Sequence, residues 1–463
     1  MVLKTLGNRV MSHNMENLAA GIRSWSEQLD QWNFRNRCEL RKSIRYKQIE
    51  MGRASLHLVP GSWIGICKVE KEMDLLLEQE EIYWRQRSRE TWLQSGDRNS
   101  KYFHSRASMR KSRNVIHGLF DSENNWRTDK AEIFDVVERY FTDMFRSVSP
   151  SNSALDLALD CVSPCLSARN YAFLESYFSN EEIRKAVCEM TPTKAPGPDG
   201  IPALCYQKFW PIVGSQVISA CLGVLNLGYN LDMVNNTLIT LIPKVKRADK
   251  MADFRPISLC NMVCKIVTKA MANRFRGVLD EVISETQNAF IPSRLISDNS
   301  IVGFECMHAL KRCKKGRKRA LALKLDMSKV YDRVEWCFIE GMIRKIGFLN
   351  GWIDRVMNCV RTVSFSFIVN GEIWGNLRPS RGLLQGDPLS LYLFPIYAEG
   401  LSHLIHNAIM TGDIAGFKCS RGVLGSLIFS SLMIAFYLQG RLTEIARLSN
   451  MFWIFMLELR VKW

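Results

Sequence analysis

The stretch Leu321-Ala-Leu-Lys-Leu-Asp326, followed by Met327–Trp336 (MSKVYDRVEW), decides the fold of this 463-residue chain. Read as a strand, it places its three leucines on one buried face and Asp326 on the other face, at the strand's end. A carboxylate in that position is a common ligand for Mg²⁺, which takes one or two carboxylates together with substrate phosphates. The alternative is a helix cap, in which Asp326 accepts hydrogen bonds from the amides of the following helix. On this stretch alone the cap is the simpler interpretation.

A second stretch, Arg381–Ser390 (RGLLQGDPLS), has the features of a loop that approaches a ligand. Its two glycines allow the backbone to come close to a bound molecule. Asp387-Pro388 is typical of the N-cap and first turn of a helix, and therefore predicts a helix directly after it. A purely structural loop–helix junction would explain these two residues but not Gln385, which stands between the glycines.

Two further stretches are rich in turn residues or in cations. Lys194–Gly200 (KAPGPDG) predicts a stiff, turn-rich loop. Thr237–Leu259 contains strand-like segments flanked by cations, which are Lys244, Lys246, Arg247, Lys250 and Arg255. A basic hairpin that folds over a triphosphate has this pattern, and so does a solvated charged loop.

The charge balance indicates a polyanionic partner. The chain has 62 Lys and Arg residues against 46 Asp and Glu residues, which gives a formal net charge of +16. A basic surface favours nucleic acid because each neutralised phosphate releases a bound counterion. From charge alone, a soluble basic protein without such a partner is an equally good interpretation.

Cysteine usage and hydropathy indicate an intracellular protein, nuclear or cytoplasmic and not secreted. The fourteen cysteines are scattered without zinc-site spacing, and we interpret them as reduced, mostly buried thiols without disulfide partners. Met1–Met15 shows no signal peptide. The apolar run Val423–Leu438 is shorter than the roughly 20 residues that span a bilayer, so no membrane association is expected.

The pattern of the chain changes at about Ser179. Before it, Ile22–Glu50 and Cys67–Leu93 predict charged helices, with a stop at Gly96, and Ser147–Ser153 predicts a linker. After it, β-rich and helical runs alternate, which is typical of an α+β or α/β domain. Strands are predicted at Leu238–Ile242, Leu321–Leu325 and Val363–Val369, a two-residue hairpin turn at Asn370-Gly371, and helices at Glu181–Met190 and Met262–Ile283.

Five stretches together resemble the reverse transcriptase of plant-type LINE (non-LTR) retrotransposons. In the family's order they are WRQRSRETWLQSGDRNSKYFH (Trp84–His104), KAPGPDG, LIPK…DFRPISL, ALKLDMSKVYDRVEW and SRGLLQGDPLS. The resemblance implies an α+β fold with the fingers and palm of a right-hand polymerase, preceded by a helical basic N-terminal region. The thumb is expected to be absent from this chain. The boundaries that the resemblance implies are a helical basic N-terminal region at 1–75, a basic and aromatic pre-polymerase segment at 76–150, a linker and helical lead-in at 151–190, fingers and palm at 191–436, and a tail at 437–463.

The resemblance also implies a mechanism, in which two Mg²⁺ ions activate the primer 3′-hydroxyl and stabilise the leaving pyrophosphate. Asp326 matches the first metal-binding aspartate of the palm, and Tyr331 matches the aromatic residue that excludes a 2′-hydroxyl. Gln385 and Gly386 match the loop that contacts the incoming nucleotide and the template. The cations that match the triphosphate-binding fingers are Arg255, Lys244 and Lys246.

The upstream block implies contacts with nucleic acid, because it combines cations for phosphates with rings for stacking. Its candidate residues are Trp84, Arg85, Arg87, Arg89, Lys101 and Phe103. A plain helix surface is the alternative. The partners that the family implies are an RNA template, a DNA primer and deoxynucleoside triphosphates.

The family's second metal box, a Phe-Ala-Asp-Asp-Ser-like hairpin, has no acidic counterpart here. At that place the chain has Leu427–Phe436 (LIFSSLMIAF), so that Ser431 and Leu432 stand where the two aspartates are expected. Asp326 alone cannot hold two Mg²⁺ ions against their mutual repulsion. We therefore expect a catalytically defective polymerase, a pseudoenzyme. The alternative is a non-catalytic nucleic-acid-binding remnant of the same element; a group II intron maturase-like cofactor shares the palm but fits the upstream block poorly.

A change of reading frame before Leu432 would explain the missing aspartates. Leu432-Met-Ile-Ala435 can be encoded as TTG-ATG-ATA-GCT, which reads GAT-GAT-AGC, or Asp-Asp-Ser, in the neighbouring frame. The tail at 437–463 is accordingly interpreted as out-of-frame peptide. Pro395 agrees with relaxed selection, because a proline inside the helix predicted after Asp387 would cost roughly 3 kcal/mol.

Overall fold

The computed structural model describes residues 15–56, 63–88, 100–288, 290–292, 294–312, 319–325, 329–412, 427–430 and 433–440. Its helices are α1 (Met15–Leu56), α2 (Trp63–Ser88), α3 (Ser100–Arg113), α4 (Lys130–Phe145), α5 (Asn152–Leu159), α6 (Ala168–Glu175), α7 (Asn180–Cys188), α8 (Ala203–Lys208), α9 (Trp210–Leu227), α10 (Met262–Arg276), α11 (Leu279–Val282), α12 (Ile296–Arg312), α13 (Trp336–Ile346), α14 (Asn350–Arg361) and α15 (Ser390–Met410). Its strands are β1 (Leu119–Phe120), β2 (Trp126–Arg127), β3 (Asn236–Pro243), β4 (Phe254–Cys260), β5 (Arg319–Leu325), β6 (Ser364–Val369), β7 (Glu372–Leu377), β8 (Leu427–Ser430) and β9 (Met433–Gly440).

The strands pair into one small hairpin, β1 with β2, and two larger sheets. The first large sheet has the order β4-β3-β6-β7, in which β3 and β6 are parallel and the other pairs are antiparallel. The second has the order β5-β9-β8 and is antiparallel. The fold is therefore mixed α/β with a mixed sheet, which is consistent with the fingers and palm that the resemblance implies.

Most of the predicted elements are present with shifted bounds. The helix predicted over Ile22–Glu50 is part of α1, and the helix predicted over Cys67–Leu93 is α2, which begins four residues earlier and ends at Ser88. The three predicted strands are β3, β5 and β6. The predicted stop at Gly96 lies outside the described residues.

The segment Ser147–Ser153, predicted as a linker, is a short connection fixed to the core. The Ser147 hydroxyl donates to Glu335 Oε2 at 2.6 Å, and the Ser151 hydroxyl caps α5 by accepting from the Ala154 amide at 3.3 Å. This connection joins α4 directly to α5, and its polar residues serve these hydrogen bonds. The domain boundaries given above remain predictions.

The single helix predicted over Met262–Ile283 is wrong, because the chain turns at Gly277 and forms α10 and α11. Arg274, in the last turn of α10, is 3% exposed. It donates to Glu182 Oε1 at 2.7 Å and to the Ser176 carbonyl at 2.6 Å, and its guanidinium lies 3.5 Å from the centroid of the Phe178 ring. These partners are about a hundred residues away in the chain, so the local signal for the helix end was Gly277 alone.

The helix α15 continues through Pro395, in spite of the hydrogen bond that a proline removes. The neighbouring residues Leu393, Phe394 and Ile396 are all buried. Burial of each such side chain contributes roughly 1.5–3 kcal/mol, which outweighs the local cost of the proline. Tertiary packing therefore keeps the helix intact at this position.

The hairpin turn predicted at Asn370-Gly371 is confirmed. The two residues have φ values of 53° and 91°, as a type I′ turn requires, and they join β6 to β7. The Asn370 side chain also binds the backbone of Ile116, accepting from its amide at 2.8 Å and donating to its carbonyl at 2.9 Å. The turn therefore fixes the segment that follows α3.

The cysteines differ from the expectation that most of them are buried. None of the twelve cysteines that the structure describes is part of a disulfide bond. Only five of these twelve are buried, namely Cys221, Cys260, Cys264, Cys306 and Cys359. The others lie on helix surfaces or in loops, as Cys38 does in α1.

One helix of the described chain, α9, is long and apolar enough to cross a membrane. It contacts α7 and α10, and its buried residues include Val217, Cys221 and Val224. Length and composition of this kind are also typical of the core helix of a soluble protein.

Glu399 in α15 is a buried carboxyl group with an unusual environment. It is 1% exposed, its Oε1 accepts a hydrogen bond from the Ser284 hydroxyl at 2.9 Å, and its Oε2 has no hydrogen-bond partner among the described residues. Burial raises its pKa to about 7, although the hydrogen bond from Ser284 and the charge of Arg294 oppose the shift. The folded chain therefore holds this proton more tightly than the unfolded chain does.

This burial predicts a pH-dependent stability. Because the folded pKa is raised, the free energy of unfolding is expected to fall as the pH rises from about 4.5, the ordinary value, through about 7. Glu399→Gln, which carries no charge, should be more stable than the wild type by about 3 kcal/mol at about pH 8 and equally stable below about pH 4.5. Denaturant unfolding of both proteins across this range measures the difference; parallel stability curves would contradict the prediction.

Candidate functional site

The loop Arg381–Asp387, which contains the predicted Gln385 and Gly386, is held by backbone hydrogen bonds on both sides. On one side the Gly382 amide donates to the Val334 carbonyl at 2.8 Å, and on the other the Ser258 amide donates to the Gln385 carbonyl at 3.3 Å. Gly382 has a φ of 98°, and a Cβ there would lie 2.8 Å from a backbone oxygen of the neighbouring segment. A glycine is therefore required for this close approach.

A buried ion pair anchors the start of the loop. Arg381 and Glu335 are 5% and 1% exposed, and Arg381 Nη1 lies 3.2 Å from Glu335 Oε1. Arg381 Nε also donates to the Met144 carbonyl at 2.8 Å, and Glu335 Oε2 accepts from the Ser147 hydroxyl at 2.6 Å. The pair thus ties the loop to the end of α4 and to the start of α13.

Asp387 has the capping role that its sequence position predicts. Its Oδ2 accepts from the amides of Leu389 at 2.9 Å and Ser390 at 3.1 Å, although α15 itself begins at Ser390. Its Oδ1 accepts from the Thr268 hydroxyl at 2.6 Å. Burial raises the pKa of this carboxyl group, while these hydrogen bonds oppose the shift. Asp387 therefore fixes the end of the loop between α10 and α15.

Tyr331 lies against the same loop. Its carbonyl accepts from the Leu383 amide at 2.7 Å, and its ring stacks on the ring of Phe394, with centroids 4.5 Å apart and an interplanar angle of 21°. Burial raises the pKa of the Tyr331 hydroxyl to about 12, so it stays protonated at neutral pH. The Tyr331 ring thus packs on Phe394, and Tyr331 lines a cavity together with Gln385.

This cavity, which we call the Tyr331 cavity, has a volume of about 560 Å³. Residues from five segments line it, and they include Lys194, Lys265, Lys269, Tyr331, Gln385 and Gly386. Lys269 forms an ion pair with Glu189 at 2.9 Å, so Lys194 and Lys265 supply most of the positive charge. A cavity of this size with a ring, an amide and cations can hold an anionic, partly aromatic molecule.

The predicted turn-rich loop Lys194–Gly200 forms one wall of the Tyr331 cavity. At Gly197 a Cβ would lie 2.3 Å from the carbonyl oxygen of Cys260, so the loop packs directly on the end of β4. Asp199 is buried and accepts from the Met262 amide at 2.7 Å, which caps α10, and burial raises its pKa to about 6. The wall is therefore rigid.

The sequence did not single out Lys265 and Lys269 as site residues. They stand one turn apart on α10, at i and i+4, and therefore share a helix face. That spacing was the available signal, but it is also typical of any solvated helix surface. Only the packing of α10 against the loop shows that this face is turned into the cavity.

The structure separates the predicted triphosphate-binding cations from the Tyr331 cavity. Lys244, Lys246 and Arg255 belong to the β3–β4 hairpin, and none of them is among the described residues that line this cavity. Lys244 Nζ donates to the Ala252 carbonyl at 2.9 Å, and Arg255 is exposed on β4. Lys244 and Lys246 instead face α3 across a second cavity.

Asp326, Ser431 and Leu432 lie outside the described residues. Leu325, the last residue of β5, pairs with Ile434, and Ser430, the last residue of β8, pairs with Met433. The last residue of β5, the last residue of β8 and the first residues of β9 thus lie at the same end of the second sheet. Within the described part of the chain, no group of three His, Cys, Asp or Glu side chains could hold a metal ion.

The upstream block lies at the end of α2 and the start of α3. The Trp84 ring is 4.2 Å from the ring of His104, and the Arg87 guanidinium lies 3.7 Å from the centroid of the Tyr83 ring. The predicted contact residues that keep some exposure are Trp84, Arg85, Arg87 and Lys101, whereas Arg89 lies outside the described residues. Phe103 is 1% exposed, so its ring packs inside the protein and is not available to stack on a base.

Comparison with known proteins identifies a matching family and several relatives. Residues 242–428 match the family described as reverse transcriptase (RNA-dependent DNA polymerase). The chain is 26% identical over 349 residues to a Transposon TX1 uncharacterized 149 kDa protein of Xenopus laevis, covering 75% of this chain and 26% of that protein. It is 26% identical over 264 residues to the Retrovirus-related Pol polyprotein from type-2 retrotransposable element R2DM of Drosophila melanogaster, covering 56% and 23%.

A third relative comes from a plant. The chain is 50% identical over 54 residues to the uncharacterized mitochondrial protein AtMg01250 of Arabidopsis thaliana, which covers 12% of this chain and 44% of that protein. The chain spans about a quarter of the length of the two transposon relatives it matches.

Proposed function

We propose that residues 242–428 are a reverse transcriptase domain of the non-LTR retrotransposon type. This domain carries the nucleotide-binding residues of an RNA-directed DNA polymerase centre. The centre is catalytically defective in this chain. The observation that carries the proposal is that Tyr331 lines the same cavity as Gln385 and Gly386, although it precedes them by more than fifty residues in the sequence. The family consists of polymerases that use a divalent metal, a template with a primer, and deoxynucleoside triphosphates.

Each group on the Tyr331 cavity has a role that its position supports. The Tyr331 ring, fixed by Phe394, packs under the sugar and excludes a 2′-hydroxyl. Gln385 and Gly386 contact the incoming nucleotide and the template base. Lys194 and Lys265 supply positive charge for phosphate groups, since each cation on the wall favours a bound anion.

The residues that the sequence offers do not fit a two-ion metal site. Asp326 is one carboxylate, and the sequence has no Asp or Glu between Asp413 and Glu444. Ser431 can offer only a neutral hydroxyl group, and Leu432 offers no ligand. Mg²⁺ prefers carboxylate oxygens, and two neighbouring ions need several of them. We therefore assign no catalytic step to metal ions in this chain.

The reading-frame hypothesis accounts for this loss, and it also accounts for a tail of out-of-frame peptide at 437–463. It is supported by the codons that Leu432–Ala435 allow. The nucleotide sequence of the gene across codons 427–463 tests it. An Asp-Asp pair encoded in a neighbouring frame is expected, and its absence would contradict the hypothesis.

Primer extension on poly(rA)/oligo(dT) with Mg²⁺ or Mn²⁺ tests the proposed function. The chain is expected to incorporate no deoxynucleotide above background, because its metal site is incomplete. The Asp326→Ala variant is the matched control and should behave identically. Incorporation by the chain that disappears in Asp326→Ala would contradict the catalytic defect.

The second candidate function is nucleic-acid binding without catalysis. It is favoured by the formal charge of +16 and by the exposed cations of the α2–α3 region and the β3–β4 hairpin. Salt-sensitive RNA binding without incorporation is the result that supports it. Such a protein would retain the partners of the polymerase but not its reaction.

A further inference from the structure

A second cavity, of about 680 Å³, lies between α3 and the β3–β4 hairpin. Of the described residues that line it, five are cations and none is acidic; the cations are Arg106, Arg110, Arg113, Lys244 and Lys246. We call this surface the α3 groove. A concentration of one sign of charge in a concave surface focuses the field and attracts a polyanion.

The three arginines form a row along α3. They occupy positions i, i+4 and i+7, so they point from one face of the helix. The row spans about 10 Å at 1.5 Å per residue, which is long enough to contact more than one phosphate group of a strand. Lys244 and Lys246 face the row from the hairpin on the other side.

Backbone contacts hold the two sides of the α3 groove in place. The Ile116 amide and carbonyl, just after α3, bind the side chain of Asn370. The Phe120 amide donates to the carbonyl of Asp249, in the loop of the β3–β4 hairpin, at 2.9 Å. These backbone contacts therefore place the cations of α3 opposite those of the hairpin, independently of how the flexible side chains are arranged.

Two of the cations in the α3 groove donate to acceptors that carry no charge. Arg110 Nη1 donates to the Ser88 carbonyl at 3.4 Å, and Lys244 Nζ donates to the Ala252 carbonyl, both of which are neutral acceptors. Arg113 and Lys246 are exposed. The groove also contains the apolar side chains of Met109 and Val245, against which an unpaired base or sugar can pack.

We infer that the α3 groove binds the phosphodiester backbone of a single strand of nucleic acid, and that Lys244 and Lys246 contact this strand and not the triphosphate of an incoming nucleotide. The inference deepens the proposed function and rests on it for the identity of the strand as a template. A single strand fits better than a duplex, because a duplex turns its bases away from the apolar residues between the cations. The α3 groove recognises a row of phosphate groups, which RNA and DNA share.

Fluorescence anisotropy with short labelled oligonucleotides, (rU) and (dT), tests the inference without primer, metal or nucleotide. The groove variant is Arg110→Ala/Arg113→Ala/Lys246→Ala. The matched control is Arg169→Ala/Lys185→Ala/Lys208→Ala, which removes the same charge from exposed residues that line neither cavity. For single strands the slope of log K against log salt is about −0.7 per phosphate contact, so the groove variant should lose about 2 from the slope while the control changes little.

A third variant, Arg110→Lys/Arg113→Lys/Lys246→Arg, keeps the charges and should keep the slope of the wild type. The oligonucleotide that binds the wild type more tightly identifies whether RNA or DNA occupies the groove, and either result supports the inference. An equal loss of slope in the groove variant and the control would overturn it. Because binding is measured without catalysis, incorporation by the wild type would contradict the proposed defect and leave the groove unaffected.

Discussion

Replacement of Ser431 and Leu432 by aspartate is expected to raise single-nucleotide incorporation by about 10³-fold over the unmodified chain. A metal ion that polarises a reacting phosphate contributes several kcal/mol, and each 1.36 kcal/mol is tenfold in rate. The positions follow Ser430, where β8 ends, and precede Met433, where β9 begins beside the end of β5. Two carboxylates at these positions, together with Asp326, would restore the number of acidic ligands that a two-ion site needs.

The controls for this gain of activity separate charge from shape. Ser431→Asn/Leu432→Asn has side chains of almost the same size without the negative charge, and it should remain inactive. Asp326→Ala added to the aspartate variant should abolish the gain. Primer extension with a single deoxynucleotide in Mn²⁺ measures all of these proteins. An aspartate variant that binds template and primer but incorporates nothing would contradict the metal-ligand role given to positions 326, 431 and 432.

Glu335→Ala is expected to lower the free energy of unfolding by about 3–5 kcal/mol, the second large effect. Glu335 is 1% exposed and pairs with Arg381, which is 5% exposed. Removing one partner of a buried ion pair leaves the other charge in the interior without compensation, and this is costly. Denaturant unfolding of the variant and the wild type measures the loss. Because Arg381 starts the loop that carries Gln385, nucleotide binding should weaken as well.

The ion pairs of Glu340 provide the matched comparison for Glu335. Glu340 lies 3.3 Å from Arg344 on the surface of α13, and it also pairs with Arg361. Exposed pairs of this kind contribute about 0–1 kcal/mol. Glu340→Ala should therefore cost far less than Glu335→Ala; similar losses in the two variants would contradict the importance of burial at Arg381.

Local signals in the sequence predicted local structure well. The turn at Asn370-Gly371 follows from the φ values that its two residues adopt easily, and it needs no knowledge of the rest of the chain. The break at Gly277 was missed although a glycine is itself a signal for a helix end. The contacts of Arg274 with Ser176 and Glu182, which no local pattern reveals, fix the last turn of α10. The continuity of α15 through Pro395 was also decided by packing and not by local preference.

In the candidate site too, the sequence predicted which residues matter better than it predicted where distant segments meet. The sequence pointed to Tyr331, Gln385 and Gly386, and the structure brings them together on one cavity. The sequence could not show that Lys244 and Lys246 face α3. Their position depends on the hydrogen bonds that the segment after α3 forms with Asn370 and with the hairpin loop. Cations are chemically alike, so only their placement separates a triphosphate contact from a strand contact.

Binding of Mn²⁺ to the complex with template, primer and deoxynucleoside triphosphate tests the central claim most directly. Electron paramagnetic resonance counts the bound ions in the unmodified chain and in Ser431→Asp/Leu432→Asp, with the nucleic acid and nucleotide alone as the reference. The unmodified chain is expected to add no two-ion site to that reference, and the aspartate variant is expected to add one. Two tightly bound ions in the unmodified chain, lost in Asp326→Ala, would contradict the claim that this polymerase centre is incomplete.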